Sequence, residues 1–240
     1  MFNGINKFSK ILRNVEGKGF FHLLLANFFI QFIGFGSQLL VAKFLSPLEL
    51  GQIKIMQSFI AVTSIFAGFG FNTSILKICA ENRSLEQKQF IFKKNCYYSA
   101  LPTLFVILVL FMLAKLQLLS PDKTVNKWMS IFVISIPAAV YTALIMFYLQ
   151  ALKQIKIMAK MQTLIRLMGF VILIVVTYLF KLSGFIFSSI TIGYLAMVPL
   201  VNLVKGSFKS IAKVKNVFKE SFNYAKWGLL ANAACAVEVY

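Results

Sequence analysis

Acidic residues are nearly absent. The 240-residue chain has seven Asp and Glu against 25 Lys and Arg, a net charge of +18, with one His and one Asp, Asp122. Metal-dependent phosphoryl chemistry needs clustered carboxylates. General acid–base chemistry needs a positioned Asp, Glu or His. An enzyme is therefore the poorest reading, and no catalytic, metal-ligating or cofactor residue is assigned. The lone His22 reads as an interfacial residue at the start of an apolar run. Cysteine is scarce too. Cys79, Cys96 and Cys235 make an odd number with no C-x-x-C spacing, which indicates no zinc or redox site and reads as three free thiols. Charge of either sign is low, 13% of residues, where soluble proteins carry about 25%.

What is present is hydrocarbon. The chain is 59% hydrophobic, with a mean hydropathy of +0.80, as an integral membrane protein would be. The net positive charge alone would suit nucleic acid, but that needs a basic face on a soluble module. Here the basic residues lie between apolar runs, so the partners expected are membrane lipids and no nucleic acid.

A span needs about 20 apolar residues to cover a hydrocarbon core of ~30 Å. Uncharged runs of that size occur at 19–42, 55–76, 95–114 and 128–152; 161–180 is broken only by Arg166; 182–204 is uncharged. A seventh begins with the run WGLLANAACAVEVY, and from Ala225 to Tyr240 there are only 16 residues. The expectation is the N-terminal part of a longer protein. The first run follows Lys7, Lys10, Arg13 and Lys18, but it is too long for a signal-peptide core and no A-x-A cleavage site follows, so it reads as an uncleaved span.

Of the 25 Lys and Arg, 19 fall in the N-terminus and at 77–94, 153–166 and 205–226. The other six are Lys43, Lys54, Lys115, Lys123, Lys127 and Lys181. The positive-inside rule then makes the N-terminus cytoplasmic, and six crossings return the chain to the cytoplasm after Val204. The fold class expected is all-α: a polytopic six-helix transmembrane bundle plus the start of a seventh span. The domains expected are a bundle at 1–205, a basic amphipathic linker helix at 206–224 and a truncated seventh helix at 225–240. In the linker, Phe208, Ile211, Ala212, Val217, Phe218 and Phe222 recur at helical spacing between Lys209, Lys213, Lys215 and Lys219, which suits the inner leaflet.

Within the first run lies NFFIQFIGFGSQ. At about 100° per residue, Asn27, Gln31, Gln38 and Gly34 form one narrow stripe. In the second run Lys54, Gln57, Ala61, Ser64 and Gly68 share a face, in the fourth Ser135, Ala139, Thr142 and Gln150, and in the fifth Gln162, Arg166 and Gly169. The third run, nearly all apolar after Thr103, reads as lipid-facing or structural. Two readings fit the stripes: small residues and amides packing helices together, or a hydrated cavity shared by spans one, two, four and five.

Arg166 favours the cavity. It lies six residues past Lys160, about 9 Å along a helix. An intramembrane Arg costs roughly 2.5–3.5 kcal/mol on insertion scales, so it faces a cavity or a partner; snorkelling to the interface is the other reading. No Asp or Glu lies in the first six runs, since the acids are Glu16, Glu49, Glu81, Glu86, Asp122 and Glu220, plus Glu238 in the seventh. An unpaired cation in a cavity is a site for an anion. Pro102, Pro137 and Pro199 lie within spans, where they bend helices.

Two segments carry a resemblance. VAKFLSPLELGQIKI resembles the A-R-x-L-G-P-x-x-F-G motif of lipid-linked oligosaccharide flippases, and GFGFNTSILKICAENR resembles their G-x-x-x-A-x-x-R-x-x-A-E segment. The family is the polysaccharide (O-antigen) flippase group of the MATE-like superfamily. Lys43 and Lys77 stand where that family often has Arg, Ser46 replaces the usual Gly and Leu50 the usual Phe. The resemblance implies two six-helix bundles with a cavity between them, the second in a C-terminal lobe. It implies alternating-access transport of a polyprenyl-pyrophosphate-linked oligosaccharide across the bacterial inner membrane, as in O-antigen and lipopolysaccharide assembly. The pyrophosphate would meet Arg166, with Lys43 or Lys54 at the outer end; the sugars would meet Asn27, Gln31, Gln38, Gln57 and Ser64. The alternatives are a cation-coupled multidrug exporter of the same superfamily, which typically places a carboxylate in the first bundle, a membrane enzyme of polysaccharide assembly, and a scaffold with no transport role.

Overall fold

The computed structural model describes residues 20–208 and 214–239. Among them every regular element is a helix: α1 (Phe20–Phe44), α2 (Pro47–Gly68), α3 (Phe71–Ala80), α4 (Leu85–Lys115), α5 (Lys123–Phe132), α6 (Ser135–Ala151), α7 (Ile155–Phe208) and α8 (Val217–Val239). Three of these, α2, α4 and α7, are long and apolar enough to cross a membrane, and the bent pair α5–α6 makes up to four. The protein is an all-α, polytopic membrane protein.

The helices follow the apolar runs, but their ends follow local chemistry. Helix α2 starts at Pro47, eight residues before the uncharged run. Ser46 caps it, accepting from the Glu49 N–H while the Glu49 carboxylate accepts from the Ser46 N–H, and Pro47 takes the first helical position. This reciprocal cap satisfies two otherwise orphaned donors. Lys54 is consequently within α2, not in a loop. The same run then breaks at Phe69 and Gly70, both with positive φ, so its last residues form the separate α3. The long fourth run is also two helices, α5 and α6, meeting at 46°. Pro137 lacks the N–H that would continue the ladder through the break, and a proline bend results.

The 54 residues of α7 would measure about 81 Å if straight, far more than a bilayer core. Lys181 interrupts them with φ 53 and ψ −132. A Cβ on Gly184 would lie 2.9 Å from Phe180 Cβ and 2.9 Å from the Val176 carbonyl carbon. Residues 176 and 184 would be about 12 Å apart along one helix, so the chain turns back at Lys181. Further from the tip, a Cβ on Gly169 would lie 3.0 Å from Ile192 Cγ2. The limbs 155–180 and 182–208 are thus an antiparallel hairpin.

The loops gather into two sets. At one end the Lys181 ammonium donates to the Phe44 carbonyl at 3.0 Å and the Gln52 amide to Asp122 at 2.6 Å. At the other, Arg83 pairs with Glu81 and Glu220, and Tyr148 and Ser207 share a hydrogen bond of 3.2 Å. The 31 residues of α4, about 46 Å long, separate the two ends. Between them lies a core that includes Met56, Ile75, Ile78, Phe92, Met129, Ile136 and Leu144. Helix α4 turns Leu101, Leu104, Phe105, Leu108 and Met112 outward at helical spacing, with Leu101 79% exposed, which is the face expected against lipid. Its opposite face is polar and buried. Asn95 donates to Ser221 Oγ and the Ile91 carbonyl and accepts from Ser74; Thr103 donates to the Ala67 carbonyl.

Residues 214–216 are not helical, and Asn216 has φ 58, a left-handed turn that Asn tolerates. The segment proposed as one amphipathic helix therefore meets α7 at Phe208 and α8 from Val217, and one continuous helix passes through residue 225. Lys209, Ile211, Ala212 and Lys213 lie outside the described residues, as do the basic N-terminus and the side chains of His22, Cys235 and Glu238.

Asp122 gives the loop end a pH dependence. The Gln52 amide and the Thr124 backbone N–H hold its carboxyl below the usual range. A carboxyl lowered on folding contributes stability that is present above the unfolded value of about 4 and is lost as pH falls through the folded value. Purified protein is expected to lose thermal stability across that acid window, and Asp122→Asn to show a shallower loss in the same melting series.

Candidate functional site

Three helices carry the residues that the sequence singles out. On α1, Gln31 and Gln38 are exposed, beside Phe28, Phe32, Phe35 and Leu39. The amides edge an apolar outer face, next to the side of α1 that packs on the α7 hairpin. They do not point into the bundle formed by these helices. The side chain of Asn27 lies outside the described residues. Lys43, in the last turn of α1, is exposed. On α2, the Lys54 ammonium reaches Gln38 Oε1 at 3.5 Å, a long contact that joins the two stripes. Gln57, one turn further, is half-buried.

Arg166 lies on the first limb of α7, exposed and without a hydrogen bond or ion pair among the described residues. Its direction is informative. Exposed Leu164, Leu167, Met168, Val171, Val175 and Tyr178 mark the lipid side of this limb. At about 100° per residue, Arg166 points roughly 150° away from the centre of that stripe. It shares its side with Ala159 and Thr177, which are buried, and Gln162, which is half-buried. No hydrogen bond or ion pair joins Arg166 to Gln31, Gln38 or Lys54, and among the described residues of the expected set only Gln38 and Lys54 share one.

Ser64 lies elsewhere. It lines a cleft of about 380 Å³ between α2, α3, α6 and α8, together with Gly68, Asn72, Ala139, Ala143 and Asn232. The Ser64 hydroxyl is buried with no partner. Asn72 and Asn232 escaped the sequence reading. Asn72 sits beyond the break at Gly70, where one helical wheel no longer applies. Asn232 projects from a helix whose place in the packing the sequence does not announce.

Helix α8 enters this region through a backbone crossing. Gly70, at φ +70, leaves no room for a side chain against the Ala225 carbonyl and the Leu229 nitrogen, and Gly228 faces Thr73 and the Gly70 carbonyl in return. Neither described thiol lines the cleft. Burial pushes the Cys79 thiol up to about 12, and Cys96 is also buried. Maleimide at neutral pH is expected to leave both unmodified in the native protein and to modify both after denaturation, read site by site by peptide mass spectrometry.

Among the described residues no group of His, Cys, Asp or Glu could hold a metal ion. The described residues form an all-α membrane body with polar edges and an unpaired cation, which suits a transport protein. A family model described as polysaccharide biosynthesis protein matches residues 17–235, and the chain belongs to that family. No curated protein matches it, and no solved structure does.

Proposed function

We propose that this protein is a flippase that moves a polyprenyl-pyrophosphate-linked oligosaccharide across the bacterial inner membrane, with its N-terminus cytoplasmic. The observation that carries the reading is Arg166, an unpaired guanidinium turned away from the lipid-facing stripe of its own helix. A cation so placed suits the pyrophosphate, since charge-assisted bonds to phosphate are about twice as strong as neutral ones. Lys43, Lys54 and Lys181 stand at the end expected to face outward, where an anion moving across would next meet positive charge. Gln31, Gln38 and Gln57 offer donors and acceptors to sugar hydroxyls along the α1–α2 edge. Because Gln31 and Gln38 edge the outside of this bundle, the passage we propose runs along its flank, closed by the second bundle that the resemblance implies.

Six crossings complete the proposal: α1, α2, α4, the bent α5–α6 and the two limbs of α7. Placement of the two loop sets at opposite ends supports that alternation. Translocation in proteoliposomes tests the function, read as the loss of lipid-linked oligosaccharide from the leaflet first exposed to a membrane-impermeant lectin. Transport above protein-free vesicles is expected. Equal rates would remove the flippase reading.

A further inference from the structure

We propose that the cleft between α2, α3, α6 and α8 binds an uncharged, polyhydroxylated ring, apart from the cationic residues that meet the phosphate. The proposal rests on the flippase reading only for where that ring comes from: it is one sugar of the cargo.

The cleft's chemistry argues for such a guest. Its polar lining consists of Ser64, Asn72 and Asn232, and no Asp, Glu, Lys or Arg lines it. A phosphate there would find no cation, and an ammonium no carboxylate. The Ser64 hydroxyl is unpartnered, and neither carboxamide has a hydrogen bond among the described residues. An apolar guest would leave the two carboxamides unsatisfied. A carboxamide presents a donor and an acceptor side by side, and neighbouring ring hydroxyls present the same pair in return. Space exists as well. A volume of about 380 Å³ lies within the ~300–1,000 Å³ range of ligand pockets. Gly68, Ala139 and Ala143 keep one side of the cleft low, and a Cβ added at Gly68 would meet nothing within 4 Å. The ring would therefore sit against small residues while its hydroxyls pair with the amides of α3 and α8.

The test uses soluble probes on the full chain in detergent. Ala143→Cys, which lines the cleft and keeps Ser64, Asn72 and Asn232, is labelled with maleimide, and modification at position 143 is followed by peptide mass spectrometry. Methyl glucoside, raised to roughly 100 mM, far above a millimolar dissociation constant, is expected to slow labelling at least about threefold. Inorganic pyrophosphate at the same concentration is expected to leave the rate unchanged. Adding Gly68→Leu, which fills the cleft, is expected to remove the protection by glucoside. Should Ala143→Cys fail to fold, Ala139→Cys reports from the same wall one turn along α6. A rate indifferent to glucoside, as for a cleft holding water alone, overturns the proposal, and so does equal protection by pyrophosphate. The translocation assay reads separately: protection by glucoside in a protein that moves no lipid would keep the cleft and discard the flippase.

Discussion

Gly70→Ala is expected to destabilise the protein more than a methyl group added at any other described glycine. Two costs act together. The residue holds φ +70, where an L side chain costs about 1–2 kcal/mol. The new Cβ would also lie 2.5 Å from the Leu229 nitrogen and 3.0 Å from the Gly228 carbonyl carbon. Those are backbone atoms of α8 and cannot rotate aside. Overpacking typically adds about 1–3 kcal/mol, so about 3 kcal/mol in total is expected. For a chain of this size that lowers the melting midpoint by roughly 6–12 °C. Gly68→Ala, two residues away and facing open space, is the control and is expected to melt within about 2 °C of the parent, since a change without a named strain usually stays within about 0.5 kcal/mol. Nanoscale fluorimetry on detergent-purified protein reads both. Equal midpoints for the two variants would mean that α8 does not cross at Gly70.

Arg166→Ala is expected to separate transport from folding. Loss of a charge-assisted hydrogen bond to phosphate removes about 1.5–3 kcal/mol, so transport falls roughly 10- to 150-fold. Stability is expected to hold or rise, because no partner is lost among the described residues and a costly intramembrane charge is removed. Arg166→Lys keeps the charge without the planar fork and is expected to recover part of the rate. Proteoliposome rates and melting midpoints, measured on one set of preparations, check this. Unchanged transport in Arg166→Ala would take the anion role from this residue.

The apolar runs made the helices legible, since lipid demands long uncharged stretches and helices satisfy their own backbone. The loop charges made the two ends legible: Lys43 and Lys181 share one loop set, Arg83 and Glu220 the other. The interruptions were harder to see. The capping box at Ser46 and Glu49 moved α2 toward the N-terminus, and the positive φ at Phe69 and Gly70 cut its run in two. Neither changes hydropathy. The amide stripe of α1 was legible as a stripe, but a helical wheel fixes only the angle between residues. Which side faces a neighbour depends on tertiary packing, and here α1 packs on the α7 hairpin so that Gln31 and Gln38 come to the rim. The cleft was least legible, because α2, α3, α6 and α8 assemble it from positions up to 168 residues apart, from Ser64 to Asn232.

The clamp at Lys181 bears on how the assembly can flex. The tip of the α7 hairpin grips the last carbonyl of α1, with Phe44 and Tyr178 edge to face at 5.2 Å, so α1 and the hairpin form one lever. Across the facing seam, α2 reaches α1 through the stretched Lys54–Gln38 contact. A tilt of the lever would part that contact first and swing Gln31, Gln38 and Arg166 through the same arc, as oars on one shaft.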